Sequence, residues 1–139
     1  MHDVLLNKSA TIARCLRRIR EEFSDEALFR HNFTQQDSVL LNLQRACEAA
    51  IDIANHLIRE HRLGIPQSSR DSFALLARER WISGELSERL QKMVGLRNIA
   101  VHDYQALNLD IVIFVITHRL VDFEQFVQVI LARQTPAIP

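Results

Sequence analysis

Residues 34–66 read TQQDSVLLNLQRACEAAIDIANHLIREHRLGIP and carry the clearest helical pattern in the chain. Apolar side chains recur there at steps of three and four residues, which is the spacing of one buried helix face. They are Leu40, Leu43, Cys47, Ala50, Ile51, Ala54, Leu57 and Ile58. Thr34 and Asp37 resemble a capping box in which Asp replaces the usual Glu. Gly64 supplies a left-handed C-terminal position and Pro66 stops any continuation, so we predict one long helix between these signals.

A first helix is predicted on the N-terminal side of this stretch, from about Asp3 to Phe23. Its apolar stripe consists of Val4, Ile12, Cys15, Leu16, Ile19 and Phe23. Residues 24–26 either end this helix or cap a short continuation through Phe29, and the sequence leaves both alternatives open.

Three more helices are predicted towards the C-terminus. Ser68 or Ser69 can cap a brief third helix, and Ser83 caps a fourth one with periodic apolar positions. Asn108 caps a last helix, which begins with an uninterrupted apolar run and continues to Pro136. A helix that is apolar on every side is either central in a bundle or partly covered by another chain.

The composition agrees with a helical chain. The 139 residues are enough for one domain, and 47% hydrophobic with 24% charged residues is the balance of a folded one. Three glycines and three prolines are too few for the many turns of a sandwich or barrel. We therefore predict an all-α fold, an antiparallel up-down bundle of about four long helices and one short helix, in a single domain over residues 1–139.

The charge balance limits the kinds of partner. Seventeen basic and seventeen acidic residues give a formal net charge of zero, which excludes the broadly basic surface of a general nucleic-acid binder. All but two of the basic residues are Arg, so a small concentrated cationic site is still compatible with the composition. The planar guanidinium fork suits phosphate at such a site.

Cysteine usage and hydropathy predict the compartment. Cys15 and Cys47 lie on apolar helical faces, which favours two buried free thiols in a reducing cytosol over a disulfide. The longest apolar run, residues 111–116, is far shorter than the roughly 20 residues of a membrane span, and the N-terminus lacks the apolar core of a signal peptide. We expect a cytoplasmic protein without membrane association, and no Cys or His spacing predicts a metal site.

Polar side chains gather at the end of the fourth predicted helix, where residues 95–104 read GLRNIAVHDY. Histidine can move a proton near neutral pH, and arginine neutralises charge that develops on a phosphorus centre. Arg97 and His102 lie about 140° apart on an ideal helix, whereas Asn98 shares a face with His102. The two reach one phosphate only if the helix loosens near Val101 or if they line two walls of a cleft. Taken singly, these residue types are also common at an ordinary helix end.

The complete string Arg97-Asn98-x3-His102-x-Tyr104, late in a short all-helical chain, resembles the HEPN superfamily. More narrowly it resembles the HepT toxins, whose signature is Arg, a polar residue, three to five others, His and then x-Tyr. The resemblance includes the run EAAIDI at residues 48–53 of the second helix and covers nearly the whole chain. An R-x4-H pattern alone is weak evidence for this family. With the flanking Asn and Tyr, in an all-helical chain, the pattern is fairly specific for it.

This resemblance implies the toxin component of a type II toxin–antitoxin system, a metal-independent endoribonuclease that works as a homodimer without a cofactor. His102 would be the general acid and base for attack by an RNA 2′-hydroxyl, Arg97 would stabilise the scissile phosphate, and Asn98 would orient His102 or the substrate. The implied partner is a nucleotidyltransferase antitoxin of the MNT type that transfers AMP to Tyr104. Asp103 is at a variable position and receives no role.

One alternative interpretation concerns binding rather than cleavage. The bundle is then a non-catalytic binding subunit of a nucleotidyltransferase complex, with Arg97 and His102 used for recognition only, and the neutral net charge favours this interpretation.

Arg14, Arg17 and Arg18 cluster on the polar side of the first helix. They either guide RNA or the antitoxin, or form a solvated face balanced by neighbouring glutamates.

A second hypothesis for an enzyme is that His102 and Asp103 belong to an HD-type metal phosphohydrolase. The additional ligands would be His56, His61, and Asp110 or Asp122. His56 and His61 are five residues apart, which is a poor spacing for sharing one metal ion from a single helix face.

Overall fold

The computed structural model describes residues 2–134, apart from the side chain of His2, and its regular structure is helical. The α-helices are α1 (His2–Glu22), α2 (Glu26–His31), α3 (Phe33–His61), α4 (Ser69–Arg78), α5 (Gly84–His102), α6 (Leu109–His118) and α7 (Leu120–Gln134). A 3₁₀ turn, Tyr104–Ala106, lies between α5 and α6. No strand occurs between residues 2 and 134, so the all-α prediction is confirmed. The predicted helix end at Pro136 lies outside the described residues.

Helix α3 is the centre of the bundle because it carries the longest apolar stripe. Helix α1 packs along it, and α4, α5 and α7 cover other parts of its buried surface, so that their apolar side chains form one core. Ion pairs also join helices that are far apart in the sequence. Arg20 of α1 donates to both carboxylate oxygens of Glu124 of α7, at 2.9 and 3.2 Å, and Arg30 of α2 donates to Asp110 of α6 at 2.7 Å. Across the described range, no helix is long and apolar enough to cross a membrane.

The predicted capping box at the start of α3 is wrong. The helix begins at Phe33, one residue before Thr34, and its cap is Asn32, whose Oδ1 accepts a 2.9 Å hydrogen bond from the backbone N–H of Gln35. Asn is a strong N-cap residue because its short side chain reaches a free N–H of the first turn. Asp37 therefore lies inside the helix, and its carboxylate is available to another part of the chain.

The predicted C-terminal signal of this helix is also displaced. The left-handed residue that ends α3 is Arg62, at φ 53° and ψ 51°, and its N–H donates to the carbonyl of Ile58. Gly64 has a positive φ of 133°, but it lies in the loop beyond the helix. Its conformation there turns the chain towards α4 instead of capping α3.

Local hydrogen bonds show which residues cap the other helices. The side chains of Ser68, Ser83 and Asn108 accept hydrogen bonds from the first turns of α4, α5 and α6, as predicted. Of the two alternatives left open after the first helix, the structure shows the second: Asp25 caps a separate short helix, α2, which includes Phe29. These caps can be predicted from the sequence because each hydrogen bond spans only two or three residues.

The predicted last helix is two helices, α6 and α7, separated by Arg119 at φ −120° and ψ −4°. Thr117 donates its hydroxyl to the carbonyl of Ile113 at 2.8 Å, a side-chain bond that bends helices, and the β-branched run before it has a low helix propensity. The outer side of α6 is apolar and open, with Ile111 and Phe114 about half exposed. This exposure favours the second alternative for this segment, a helix partly covered by another chain.

Candidate active site

The motif residues lie at the C-terminal end of α5 and in the turn after it. The helix stays regular to its end, since the backbone N–H of Asp103 donates to the carbonyl of Ile99 at 2.9 Å. It does not loosen near Val101. Arg97 and His102 therefore remain about 140° apart around the helix axis. Within one chain they do not face the same space.

Arg97 is turned towards α3 and α4, and only 18% of its side chain is exposed. Its Nη1 lies 3.7 Å from Oε1 of Glu48, and its Nη2 donates to Oγ of Ser69 over 3.4 Å. Both distances are long for such contacts, and within residues 2–134 its Nε has no hydrogen-bond partner. Burial raises the pKa of the adjacent Cys47 thiol to about 12, although the charge of Arg97 acts in the opposite direction. The guanidinium is thus held in place without a tight ion pair.

His102 and Asn98 lie one turn apart on the exposed side of α5. Neither side chain makes a hydrogen bond or an ion pair with another residue of the described range. A histidine at a helix end often hydrogen-bonds a free carbonyl, but His102 does not. Both side chains are therefore free to contact a ligand, and Asn98 does not orient His102 by a direct hydrogen bond.

Tyr104 begins the 3₁₀ turn, and 48% of the residue is exposed. Its hydroxyl donates to Oδ1 of Asp37 at 2.7 Å. This hydrogen bond, followed by burial and by the negative charge of Asp37, raises the pKa of Tyr104 to about 12. The predicted role of Asp37 in a helix cap is wrong, and its contact with Tyr104 cannot be predicted from local sequence because the two residues are 67 positions apart.

A second arginine lies on the same side of α5 as His102. The guanidinium of Arg70, from α4, rests against Gly95 so closely that a Cβ at that position would collide with it. On an ideal helix Gly95, Asn98 and His102 fall within about 60° of one another. Arg70 has no ion pair in the part of the chain that the structure describes. Nothing in the sequence singled out Arg70, because its proximity to the motif depends on how α4 packs against α5.

The ligands that an HD-type metal site would need are not assembled. Between residues 2 and 134, no three His, Cys, Asp or Glu side chains lie close enough to hold a metal ion. His56 contacts Glu60 at 3.0 Å, Asp110 pairs with an arginine of α2, and Asp122 is buried beside an arginine of α5. These separate contacts leave the HD-type interpretation without its ligand set.

Known proteins resemble this chain over nearly its whole length. The sequence pattern of the family described as Ribonuclease HepT-like matches residues 12–130. The chain is 63% identical over 132 residues to the mRNA nuclease HepT of Shewanella oneidensis, covering 95% of this chain and 99% of that protein.

Two solved structures are similar in fold and sequence. One is a tri-AMPylated HEPN toxin of Shewanella oneidensis in complex with an MNT antitoxin, with a TM-score of 0.92, 63% identity, and coverage of 95% of this chain and 99% of that one. The other is a toxin–antitoxin with AMP-PNP, with a TM-score of 0.91, 62% identity, and coverage of 94% and 99%. Since the family pattern spans most of the chain, including the motif helix α5, this chain belongs to the Ribonuclease HepT-like family.

Proposed function

We propose that this chain is the toxin component of a type II toxin–antitoxin system and acts as a metal-independent endoribonuclease. The observation that carries the proposal is the exposed, unpaired imidazole of His102 at the end of α5. An imidazole can accept and return a proton near neutral pH, and here it is not occupied by a structural contact. The 63% identity to a protein named mRNA nuclease HepT supports RNA as the substrate.

In the proposed reaction, His102 accepts the proton of an RNA 2′-hydroxyl while the hydroxyl oxygen attacks the adjacent phosphorus. The bond from phosphorus to the 5′-oxygen breaks, and the leaving oxygen takes up a proton. The products are a 2′,3′-cyclic phosphate and a free 5′-hydroxyl. Arg97 stabilises the negative charge that develops on the phosphate, and Asn98 contacts the substrate from one turn before the histidine.

The two catalytic side chains come from two copies of the chain. Because α5 is regular, Arg97 and His102 of one copy point in different directions, and a two-fold axis would place two such motifs around one cleft. The resulting homodimer has two guanidinium groups and two imidazoles. One imidazole can act as the base while the other protonates the leaving oxygen.

Exposed apolar side chains on α5 and α6 support this dimer. They are Ile99, Val101, Ile111 and Phe114, with 40%, 43%, 52% and 48% of their surface exposed. Single exposed apolar residues are normal in a monomer, but several on the motif helix and on the helix that follows it are typical of an interface.

RNA cleavage by the purified protein in EDTA tests the nuclease proposal. We expect cleavage by the wild type and a loss of roughly 10²–10⁴-fold in His102→Ala. His31→Ala is the matched control, because His31 is also exposed and also ends a helix, and it should cleave normally. Equal cleavage by His102→Ala and the wild type would refute the mechanism. A wild type that binds RNA without cleaving it would favour the non-catalytic binding subunit instead.

We also propose that an MNT-type nucleotidyltransferase antitoxin neutralises the toxin by transferring AMP to Tyr104. Tyr104 is the only tyrosine of the chain and is half exposed beside the motif. A similar structure is that of a tri-AMPylated HEPN toxin bound to an MNT antitoxin. Each phosphate added at this position brings negative charge and bulk next to the motif, which repels RNA.

The cytoplasm is the proposed site of action. Cys15 and Cys47 are free and buried in the described structure. Free thiols in a folded protein fit a reducing compartment, where a toxin would also meet cellular RNA.

A further inference from the structure

A groove between α1 and α3, with a volume of about 490 Å³, carries four arginines; we name it the arginine groove. It is lined by Arg14, Arg17, Arg18, Glu21, Ser38, Leu41, Asn42 and Arg45. The sequence alone shows the three arginines of α1. The fourth, Arg45, joins them only because α3 packs along α1.

Four arginines and one carboxylate, that of Glu21, line the groove, so most of its positive charge is left unbalanced. Arg14, Arg17 and Arg45 are exposed and form no ion pair or hydrogen bond through their side chains with residues 2–134. Arg18 makes only a long contact of 3.9 Å with Glu22. Of the two alternatives for these arginines, the structure therefore gives little support to a solvated face whose charge is balanced by glutamates. Like charges held this close repel one another, so the groove favours an anion.

The exposed side of α3 extends from the arginine groove to the candidate active site. On an ideal helix Asp37, Leu41, Arg45 and Glu48 fall within about 80° of one another. Arg45 faces the groove, whereas Glu48, less than one turn away, contacts Arg97 of the motif. One strip of the α3 surface therefore connects the cationic groove to the motif.

We propose that the arginine groove binds the phosphate backbone of single-stranded RNA that extends from the motif. This inference rests on the proposed nuclease function, because it assumes that the ligand of the motif is RNA. Guanidinium groups pair with phosphate through two parallel hydrogen bonds. No aromatic side chain lines the groove, so the contacts are to phosphates and binding there does not depend on base sequence.

RNA fits the groove better than an acidic surface of a partner protein does. A strand whose scissile phosphate lies at the motif must continue over the neighbouring surface, and the strip of α3 between Glu48 and Arg45 is part of that surface. The groove also explains how a chain with zero net charge binds a polyanion, since the cations are concentrated and left without partners.

Binding of a long, unstructured, fluorescently labelled RNA to the His102→Ala protein tests the proposal without cleavage. In that background, Arg14→Gln, Arg17→Gln and Arg45→Gln are combined. The matched control combines Arg59→Gln, Arg62→Gln and Lys92→Gln, which are exposed, have no ion pair within residues 2–134 and lie outside the groove. Both triple variants remove three positive charges from surface positions, and thermal melting checks that they fold alike.

We expect the groove variant to bind RNA at least about tenfold more weakly than its background, and the control to stay within about twofold. The slope of log affinity against log salt should fall by about 2 in the groove variant, because each single-strand phosphate contact contributes roughly 0.7. Different RNA sequences should be affected equally.

Unchanged RNA affinity in the groove variant, or an equal loss in both triple variants, would overturn the proposal. Unchanged RNA affinity with loss of binding to the nucleotidyltransferase would assign the groove to the protein partner instead. The proposed nuclease function fails independently, if the wild type does not cleave RNA in EDTA. Groove-dependent RNA binding would still be measured in that case.

Discussion

The hydroxyl of Tyr104 donates a 2.7 Å hydrogen bond to the carboxylate of Asp37, which joins the turn after α5 to the first half of α3. The contact holds the proposed AMP acceptor at one end of the motif. It also keeps the phenolic proton against a carboxylate, so that the pKa of Tyr104 rises to about 12. The position and the pKa of this tyrosine thus depend on a residue of another helix.

Asp37→Ala should lower the pKa of Tyr104 from about 12 towards the ordinary value of about 10, because it removes both the hydrogen bond and the negative charge. Titration of the phenolate absorbance measures this residue alone, since the chain has no other tyrosine. Asp52→Ala is the control, as Asp52 is an exposed carboxylate of the same helix that pairs with Lys8. A pKa that stays near 12 in Asp37→Ala would mean that burial, not Asp37, causes the shift.

The same contact predicts how stability depends on pH. Because the pKa is raised in the folded state, the folded chain holds the phenolic proton more tightly than the unfolded chain. The stabilisation is complete below about pH 10 and is lost as the pH rises through about 12. Melting temperatures measured from pH 8 upwards should therefore fall more steeply for the wild type than for Asp37→Ala. Parallel curves for the two proteins would contradict this prediction.

In AMP transfer, the tyrosine oxygen attacks the α-phosphorus of ATP and pyrophosphate leaves. Tyr104→Phe should abolish this transfer by the cognate nucleotidyltransferase, because phenylalanine has no such oxygen. Asp37→Asn should slow the transfer, because the carboxylate at 2.7 Å is positioned to take the phenolic proton as the oxygen attacks. Mass spectrometry of intact protein over time measures both effects, with Asp52→Asn as the control. Transfer at the wild-type rate in Asp37→Asn would place the proton acceptor in the antitoxin.

Arg97→Gln should reduce RNA cleavage without reducing the stability of the fold. Loss of the guanidinium should reduce RNA cleavage by roughly 10²–10³-fold, which is typical when one group that stabilises an anionic transition state is removed. The melting temperature should change little, because the contacts to Glu48 and Ser69 are long, at 3.7 and 3.4 Å. Single-turnover cleavage and thermal melting measure the two properties. A large fall in melting temperature with normal cleavage would make Arg97 a structural residue.

Ile111→Asp combined with Phe114→Asp should convert the proposed homodimer to monomers and abolish cleavage, because two charges would enter an apolar interface. Sedimentation measures the mass, and circular dichroism checks that the helices persist. Ile65→Asp is the control, since Ile65 is 82% exposed in the loop after α3. An active monomeric double variant would refute the shared cleft.

Local signals were sufficient for several elements of the fold. Ser68, Ser83 and Asn108 mark helix starts correctly because a cap is a bond within one turn. The predicted start of α3 at Thr34 is wrong because Asn32 and Thr34 are both acceptable caps, and only the folded chain shows which one is used. The break at Arg119 is absent from the predicted helix because the helical spacing of apolar residues resumes at Leu120, directly after it.

The all-helical class and the position of the motif at the end of α5 followed from the sequence, because helical periodicity and caps act over a few residues. Only the tertiary structure decided that Tyr104 meets Asp37, that Arg97 lies beside Glu48, and that Arg45 completes the arginine groove. These partners lie on different helices, and their contacts depend on how α1 and α5 pack against α3. Neighbouring residues in the sequence carry no information about that packing, so no local pattern could reveal them.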